Sequence, residues 1–193
     1  WSSDVFSSDL ATITIPNADW NGPETITFTA TDPGNLFDAD AATFTVTPVN
    51  DAPVVSDIPD QTVAEGATFA TIPLDNYVSD VDNTDNQISW TYAGNTALTV
   101  VIDAGRVATV TIPSADWNGA ETITFTATDP GLLTDADPVV FTVTAVNNAP
   151  VVSGIPDQTV AEGSSFATIT LDDYVTDIDN VASEMTWTYG GNS

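Results

Sequence analysis

The chain has 193 residues, of which 28 are acidic and one, Arg106, is basic, for a formal net charge of -27. That balance excludes the electropositive footprint of a nucleic-acid-binding protein and any electrostatic attraction to an anionic membrane. Cysteine, histidine and lysine are absent, which excludes disulfides, thiol or imidazole chemistry and lysine-asparagine isopeptide cross-links within this segment.

Acidity of this degree disorders chains that are poor in apolar residues, but 42% of residues here are hydrophobic and the aromatics are spread along the chain, so a core can form. The carboxylates then lie on the surface, where they repel one another unless cations gather among them. No run of about 18 apolar residues is present, and the chain does not open on a charged segment followed by an apolar one. The segment therefore reads as interior, with any secretion signal or anchor outside it.

In chain order, the first landmark is ATITIPNADWNG, followed by TFTATDPG, VNDAPVV, IPDQTVAEG and LDNYVSDVDN; the same series then returns as ATVTIPSADWNG, TFTATDPG, VNNAPVV, IPDQTVAEG and LDDYVTDIDN. Residues 11–96 align without gaps on residues 108–193 at an offset of 97, with 61 of 86 positions identical. A period of this length is a whole domain. It divides the chain into the C-terminal half of one domain (1–50), a complete domain (51–147) and the N-terminal half of the next (148–193).

Within the complete domain, strands are predicted near 61–64, 67–73, 87–93, 97–102, 106–112, 120–128 and 138–146. In 120–128, Ile123, Phe125 and Ala127 share one face and Thr122, Thr124, Thr126 and Thr128 the other, the two-residue period of a half-buried strand. Phe141, Val143 and Ala145 repeat the pattern. Asp-Pro-Gly, Asn-Gly and Ala-Gly turns separate the runs, so the expected fold is all-β, a seven-stranded antiparallel Greek-key sandwich in tandem.

Neither half-domain can bury a core by itself. Joining Ser193 to a following copy of Trp1 completes a domain of 96 residues beside the one of 97. The chain thus reads as one period of a longer polymer, its halves completed by neighbouring copies either as continuous chain or by strand exchange.

The acidic residues gather at particular landmarks. In Asp80-Val81-Asp82-Asn83 two carboxylates lie two apart, so in extended backbone they point the same way and can share an ion; Asp177-Ile178-Asp179-Asn180 repeats the device. Calcium takes six to eight oxygen ligands from carboxylates, Asn side chains and backbone carbonyls, which suits such a grouping.

With linker VNDAPVV, the DxDN element, the ATDPG element and an acidic loop in one order and twice over, the chain resembles the cadherin-like repeats of bacterial surface adhesins. The resemblance covers the whole chain and implies cadherin/immunoglobulin-like sandwiches with Ca2+ between consecutive domains. It implies Asp19, Asn50, Asp51, Asp80, Asp82 and Asp129 as ligands at the first junction. At the second it implies Glu65, Asp116, Asn147, Asn148, Asp177 and Asp179, completed by Asp32 of the next copy, with Glu162 the counterpart of Glu65 one repeat on. Two departures stand out: Asn148 replaces the carboxylate of Asp51, and ADWNG replaces the Leu-Asp-Arg-Glu loop of cadherins, removing one glutamate.

Asp38, Asp40, Asp135 and Asp137 read as solvated acids of a hairpin. Trp20 and Trp117 read as caps over a core edge or, in the alternative, as stacking platforms for sugar; Trp90 and Trp187 read as core. Catalysis has only a carboxylate pair to draw on, and a shaft element is the commoner thing to duplicate, so no enzyme is expected. The expected role is a structural repeat of an extracellular, cell-surface fibre or adhesin shaft stiffened by calcium. Its expected partners are copies of itself end to end, and a cell-surface glycan or protein; the alternative is a carbohydrate-binding surface module.

Overall fold

Alternating apolar and hydroxyl side chains make the two longest hairpins of the molecule, and both have the same sequence signature. In the computed structural model, which describes residues 10–191, the first hairpin joins β1 (Gly22–Thr31) to β2 (Phe37–Val46). Glu24 lies opposite Phe44, Thr25 opposite Thr43 and Phe28 opposite Asp40. Then follow β3 (Val54–Val55), β4 (Gln61–Ala64), β5 (Ile72–Pro73), β6 (Val78–Ser79), β7 (Ser89–Ala93), β8 (Thr99–Ile102) and β9 (Val107–Thr111). The second long hairpin is β10 (Gly119–Thr128) with β11 (Thr134–Thr144), and β12 (Val151–Val152) and β13 (Val175–Thr176) close the series. Among the described residues the remaining regular structure is short 3-10 turns.

The complete repeat is a sandwich of a four-stranded sheet in the order β4-β11-β10-β7 and a three-stranded sheet in the order β5-β9-β8, with β3-β6 as an added two-residue pair. The seven strands of the two main sheets are the predicted number. Their bounds differ most from expectation at two places. Residues 67–71 pass as irregular chain and only Ile72–Pro73 pairs, with Val107 and Ala108. β11 begins at Thr134, so the second Asp-Ala-Asp lies within a strand. β4 runs parallel to β11, Gln61 opposite Phe141 and Ala64 opposite Thr144, which sets the first long strand of the repeat beside its last.

Three tight turns share one device. Asp32 Oδ1 accepts from the N–H groups of Gly34 and Leu36 at 2.8 and 2.9 Å, and Asp103 Oδ1 accepts from Gly105 and Val107 at 2.8 and 2.9 Å. Asp129 Oδ1 accepts from Leu133 at 2.8 Å. In each turn the residue three beyond the aspartate is left-handed: Asn35 at φ 65°, Arg106 at 58° and Leu132 at 71°. An aspartate whose side chain satisfies its own turn explains why Asp-x-Gly recurs between strands.

By proximity the chain divides into two compact units, one of residues 1–57, 74–91 and 126–137, the other of residues 58–73, 92–125 and 138–193. Residues 51–147 contribute to both. The first unit buries Pro53, Leu74, Ile88 and Ala127; the second buries Ile58, Phe69, Leu98, Val100, Ile123, Phe125, Val139, Phe141 and Val143. In the second, Phe69 meets Phe141 edge to face at 5.0 Å.

The same residues one repeat away are not buried. Phe125 is 0% exposed and its counterpart Phe28 41%; Ile58 is 2% and Ile155 42%; Phe69 is 7% and Phe166 64%. The described halves therefore display the faces that the complete repeat closes.

Candidate metal centre

The first linker is tied to the loop downstream of it. Asp80 Oδ1 accepts from the backbone N–H groups of Asp82 and Asn83, both at 2.8 Å, which folds the DxDN element into a tight acidic loop instead of an extended strand. Asp82 Oδ2 accepts from the N–H of Asp51 at 2.7 Å. The two carboxylates of DxDN thus have different tasks: Asp80 shapes the loop and Asp82 holds the linker.

Asn50 spans the other side. Its amide donates to Asp129 Oδ2 at 2.7 Å and to the carbonyl of Asp51 at 3.1 Å. Asp129 is only 3% exposed, with one oxygen on Leu133 N–H and the other on Asn50. Gly131 leaves room for this contact, because a Cβ there would stand 2.6 Å from Asn50 Nδ2 and 2.8 Å from its Cγ. Linker Asn50 and Asp51, loop Asp80 and Asp82, and turn Asp129 therefore form one set connected by hydrogen bonds.

The second linker copies the first in its contacts with the DxDN loop downstream of it. Asn148 N–H donates to Asp179 Oδ2 at 2.6 Å, Asp177 Oδ1 accepts from Asp179 and Asn180 at 2.9 Å each, and the Asn147 amide donates to the Asn148 carbonyl at 2.8 Å. Replacing Asp51 by Asn148 does not disturb the frame, since that position contributes its backbone N–H. Glu65 reaches the approach to this linker, accepting from Val146 N–H at 2.7 Å and from the Asn118 amide at 3.5 Å.

The remaining predicted residues stand apart. Asp19 and Asp116 are exposed in the ADWNG loops, where Asp19 N–H is held by Asn17 Oδ1 at 3.1 Å. Asp32 is the exposed cap of its own hairpin turn, and Glu162 is exposed beside the turn closed by Ser164 N–H on Ala161. Among the described residues no three acidic side chains converge as a ready-made cage. The contacts give the reason: Asp80, Asp82 and Asp129 each direct an oxygen to backbone N–H groups.

Three oxygens nevertheless have no donor. Asp80 Oδ2 and Asn83 Oδ1 are buried without a hydrogen bond, and so is Asp177 Oδ2 one repeat later. A buried acceptor without a partner costs about 1–3 kcal/mol, more when charged, and at both places a water, another donor or a cation would relieve that cost. Hard oxygen donors on a loop are the chemistry of a calcium site. Asn83 was not among the expected ligands, although it is the last residue of the motif that pointed to them.

Two further acids act on backbone where the sequence suggested mere solvation or nothing at all. Asp135 Oδ2 accepts from Val55 N–H at 2.7 Å, clamping the segment that follows the linker. Glu121 accepts from the N–H groups of Thr96, Ala97 and Leu98 at 2.9, 2.6 and 3.2 Å and from the Thr96 hydroxyl. Partial burial raises its carboxyl pKa, but those hydrogen bonds outweigh the effect and hold it below the usual glutamate value. The half-buried Trp117 ring folds back on the start of β10, 3.1 Å from where a Gly119 Cβ would stand.

A two-sheet sandwich with its first strand parallel to its last, and with an Asn-Asp linker tied to acidic loops, defines an immunoglobulin-like or cadherin-like repeat. Residues 50–143 match the model of the bacterial Ig domain family. Domains of this kind are typically non-enzymatic adhesion or structural modules. The EC1-2 crystal structure of human mucin-like protocadherin aligns at 16% identity over 72% of this chain and 76% of its own, with a TM-score of 0.49. The extracellular domain of protocadherin GammaB4 aligns at 19% identity over 75% of this chain and 24% of its own, also at 0.49. No curated protein matches the chain. Among the described residues no helix is long and apolar enough to cross a membrane.

Proposed function

We propose that this chain is a structural repeat of an extracellular fibre or adhesin shaft, with calcium stiffening the junctions between successive domains. The recurrence of the donorless oxygens, Asp80 Oδ2 with Asn83 Oδ1 and then Asp177 Oδ2, carries the reading. At the first junction Asp80, Asn83, Asp82, Asp129, Asn50, Asp51 and Asp19 supply the oxygens. At the second, Asp177, Asp179, Asn147, Asn148, Glu65 and Asp116 do so, while Asp32 and Glu162 serve junctions with further copies.

In this reading the metal supplies positive charge to a chain of net charge -27 and joins oxygens that backbone contacts have already brought near. The protein's own part is the frame. Asp80 and Asp177 close their loops on backbone N–H groups, and Asp82 and Asp179 fix the downstream end of each linker. The partners are copies of the same repeat, end to end, each half-domain completed by the next.

Calcium that binds the folded form alone stabilises it by about 2.7 kcal/mol at a hundredfold excess over Kd, and extracellular modules have Kd values of about 10⁻⁴–10⁻³ M. The test is thermal unfolding in 10–100 mM calcium, on the order of a hundredfold excess, against chelator. The reading predicts a midpoint higher by several degrees in calcium; an identical midpoint in both defeats it.

A further inference from the structure

We propose that Asn118 is a site of spontaneous deamidation, converted to aspartate and isoaspartate through a cyclic imide formed with the backbone nitrogen of Gly119. The inference concerns the ADWNG loop that leads into β10 of the complete repeat, and it is independent of calcium and of any second chain.

The reaction needs an asparagine whose successor leaves its backbone nitrogen unshielded, and the fold itself fixes that successor. Gly119 opens β10 at φ 148°, a conformation that strains any residue with a side chain. A Cβ there would also stand 3.1 and 3.3 Å from Cζ2 and Cη2 of the Trp117 ring. The seat of the tryptophan and the entry to the strand thus both call for glycine directly after Asn118. Asn118 and Gly119 are exposed to water. The Asn118 amide nitrogen reaches Glu65 Oε1 at 3.5 Å, the outer limit of a hydrogen bond, so the side chain is loosely held and able to swing its Cγ toward the next nitrogen.

The atoms balance with water alone. Gly119 N gives its proton to solvent and bonds to Asn118 Cγ; the Cγ–Nδ2 bond breaks, and the amide nitrogen takes up a proton and leaves as ammonia. Water then opens the imide on one of two sides. Cleavage of the new Cγ–N bond leaves an aspartate in the normal chain. Cleavage of the original backbone C–N bond leaves an isoaspartate, with an extra methylene in the main chain where β10 begins. Each turn of the reaction consumes a water and leaves a carboxylate in place of an amide.

That carboxylate alters a contact beyond β4. Glu65 Oε2 accepts from Val146 N–H at 2.7 Å and Glu65 N–H donates to the Thr144 carbonyl at 2.9 Å, which ties the chain after β4 to the approach to the second linker. Deamidation replaces the donor that faces Glu65 by an anion, with Asp116 two residues away. The like charges repel, and the hold of Glu65 on Val146 weakens. Asn21-Gly22 repeats the dipeptide one repeat earlier and is expected to convert as well.

Asn86 provides the internal comparison, because it is likewise exposed but is followed by Gln87, whose side chain shields the nitrogen. The full chain is incubated in warm neutral buffer with chelator and digested with pepsin in acid. Each asparagine is then read by mass spectrometry with electron-transfer fragmentation, which separates isoaspartate from aspartate. Asn118 is expected to convert at least about tenfold faster than Asn86, and Asn118→Gln, which would have to close a larger ring, is expected to keep its amide. An Asn118 that keeps its amide as long as Asn86 does overturns the proposal. The consequence is read on Asn118→Asp by tryptophan fluorescence. Its unfolding midpoint in chelator is expected to lie about 1–4 °C below the parent's, with a smaller fall in a Glu65→Gln background. An equal fall in both backgrounds, or none in either, overturns the effect on Glu65.

Discussion

Residues 158–161 and Gln61–Ala64 have the same four side chains, yet the latter form a strand and the former do not. The main difference between complete repeat and flanking halves lies in contacts distant in sequence. Several contacts within about thirty residues are reproduced: the Gln clasp, the paired Val-Val strand, the DxDN loop and its hold on the linker. What the C-terminal half lacks is the β11 edge, and with it the burial of Ile155 and Phe166. A strand is stabilised by its neighbours more than by its own residues, so one sequence has two fates according to what lies beside it.

The comparison can be broken most severely at the core. Phe125→Ala empties a fully buried site and is expected to cost about 3–5 kcal/mol, whereas Phe28→Ala, at a partly exposed position, costs under about 1 kcal/mol in dilute, monomeric chain. Urea unfolding of the two variants reads the difference, and equal losses would mean that the halves are already closed.

The turns offer the next contrast. At Gly131 a Cβ meets the linker side chain Asn50 at 2.6 Å, while at Gly34 it meets only Asp32 of its own turn at 3.2 Å. Gly131→Ala is therefore expected to destabilise by about 1–3 kcal/mol and Gly34→Ala by a few tenths, measured in the same way. Asn50→Ala, which leaves the buried Asp129 oxygen without its donor, should cost about 1–2 kcal/mol; Asn147→Ala, whose amide reaches only the Asn148 carbonyl, should cost less than half of that.

The smallest effect carries a pH signature. Because the Glu121 carboxyl is held below its ordinary 4.5, its contribution is present above that pH and is lost as pH falls through the lower folded-state value. Glu121→Gln should destabilise at neutral pH by about 0.5–1 kcal/mol, screened as the site is by solvent, and the gap from the parent should close in acid. A gap that is flat with pH would show that the glutamate acts only by packing.

The offset of 97 and the two-residue alternation in 120–128 were sufficient to read the sandwich, its seven main strands and its repeat, because both depend on side-chain pattern alone. The irregular path of 67–71 was not legible, since its residues have strand-like composition and what decides is the Gln61 clasp on Ala70. At the junction, Asn50, Asp51, Asp80, Asp82 and Asp129 were found by motif and are joined by hydrogen bonds. Motif could not show which oxygens the backbone already holds: Asp82 accepts from a backbone N–H, whereas Asn83 presents a donorless oxygen. Asp135 was read as a solvated acid and Glu121 was given no role because their partners, Val55 and Thr96–Leu98, are 80 and up to 25 residues away.

The central claim is that Asp80 and Asp177 mark two equivalent cation sites. Calorimetric titration of calcium into the full chain, beside Asp80→Ala and Asp177→Ala variants confirmed as folded, tests it most directly. The account predicts saturable binding with Kd of about 10⁻⁴–10⁻³ M, with one class of sites lost in each variant. Absence of saturable binding in the parent, or variants that bind calcium as the parent does, would contradict it.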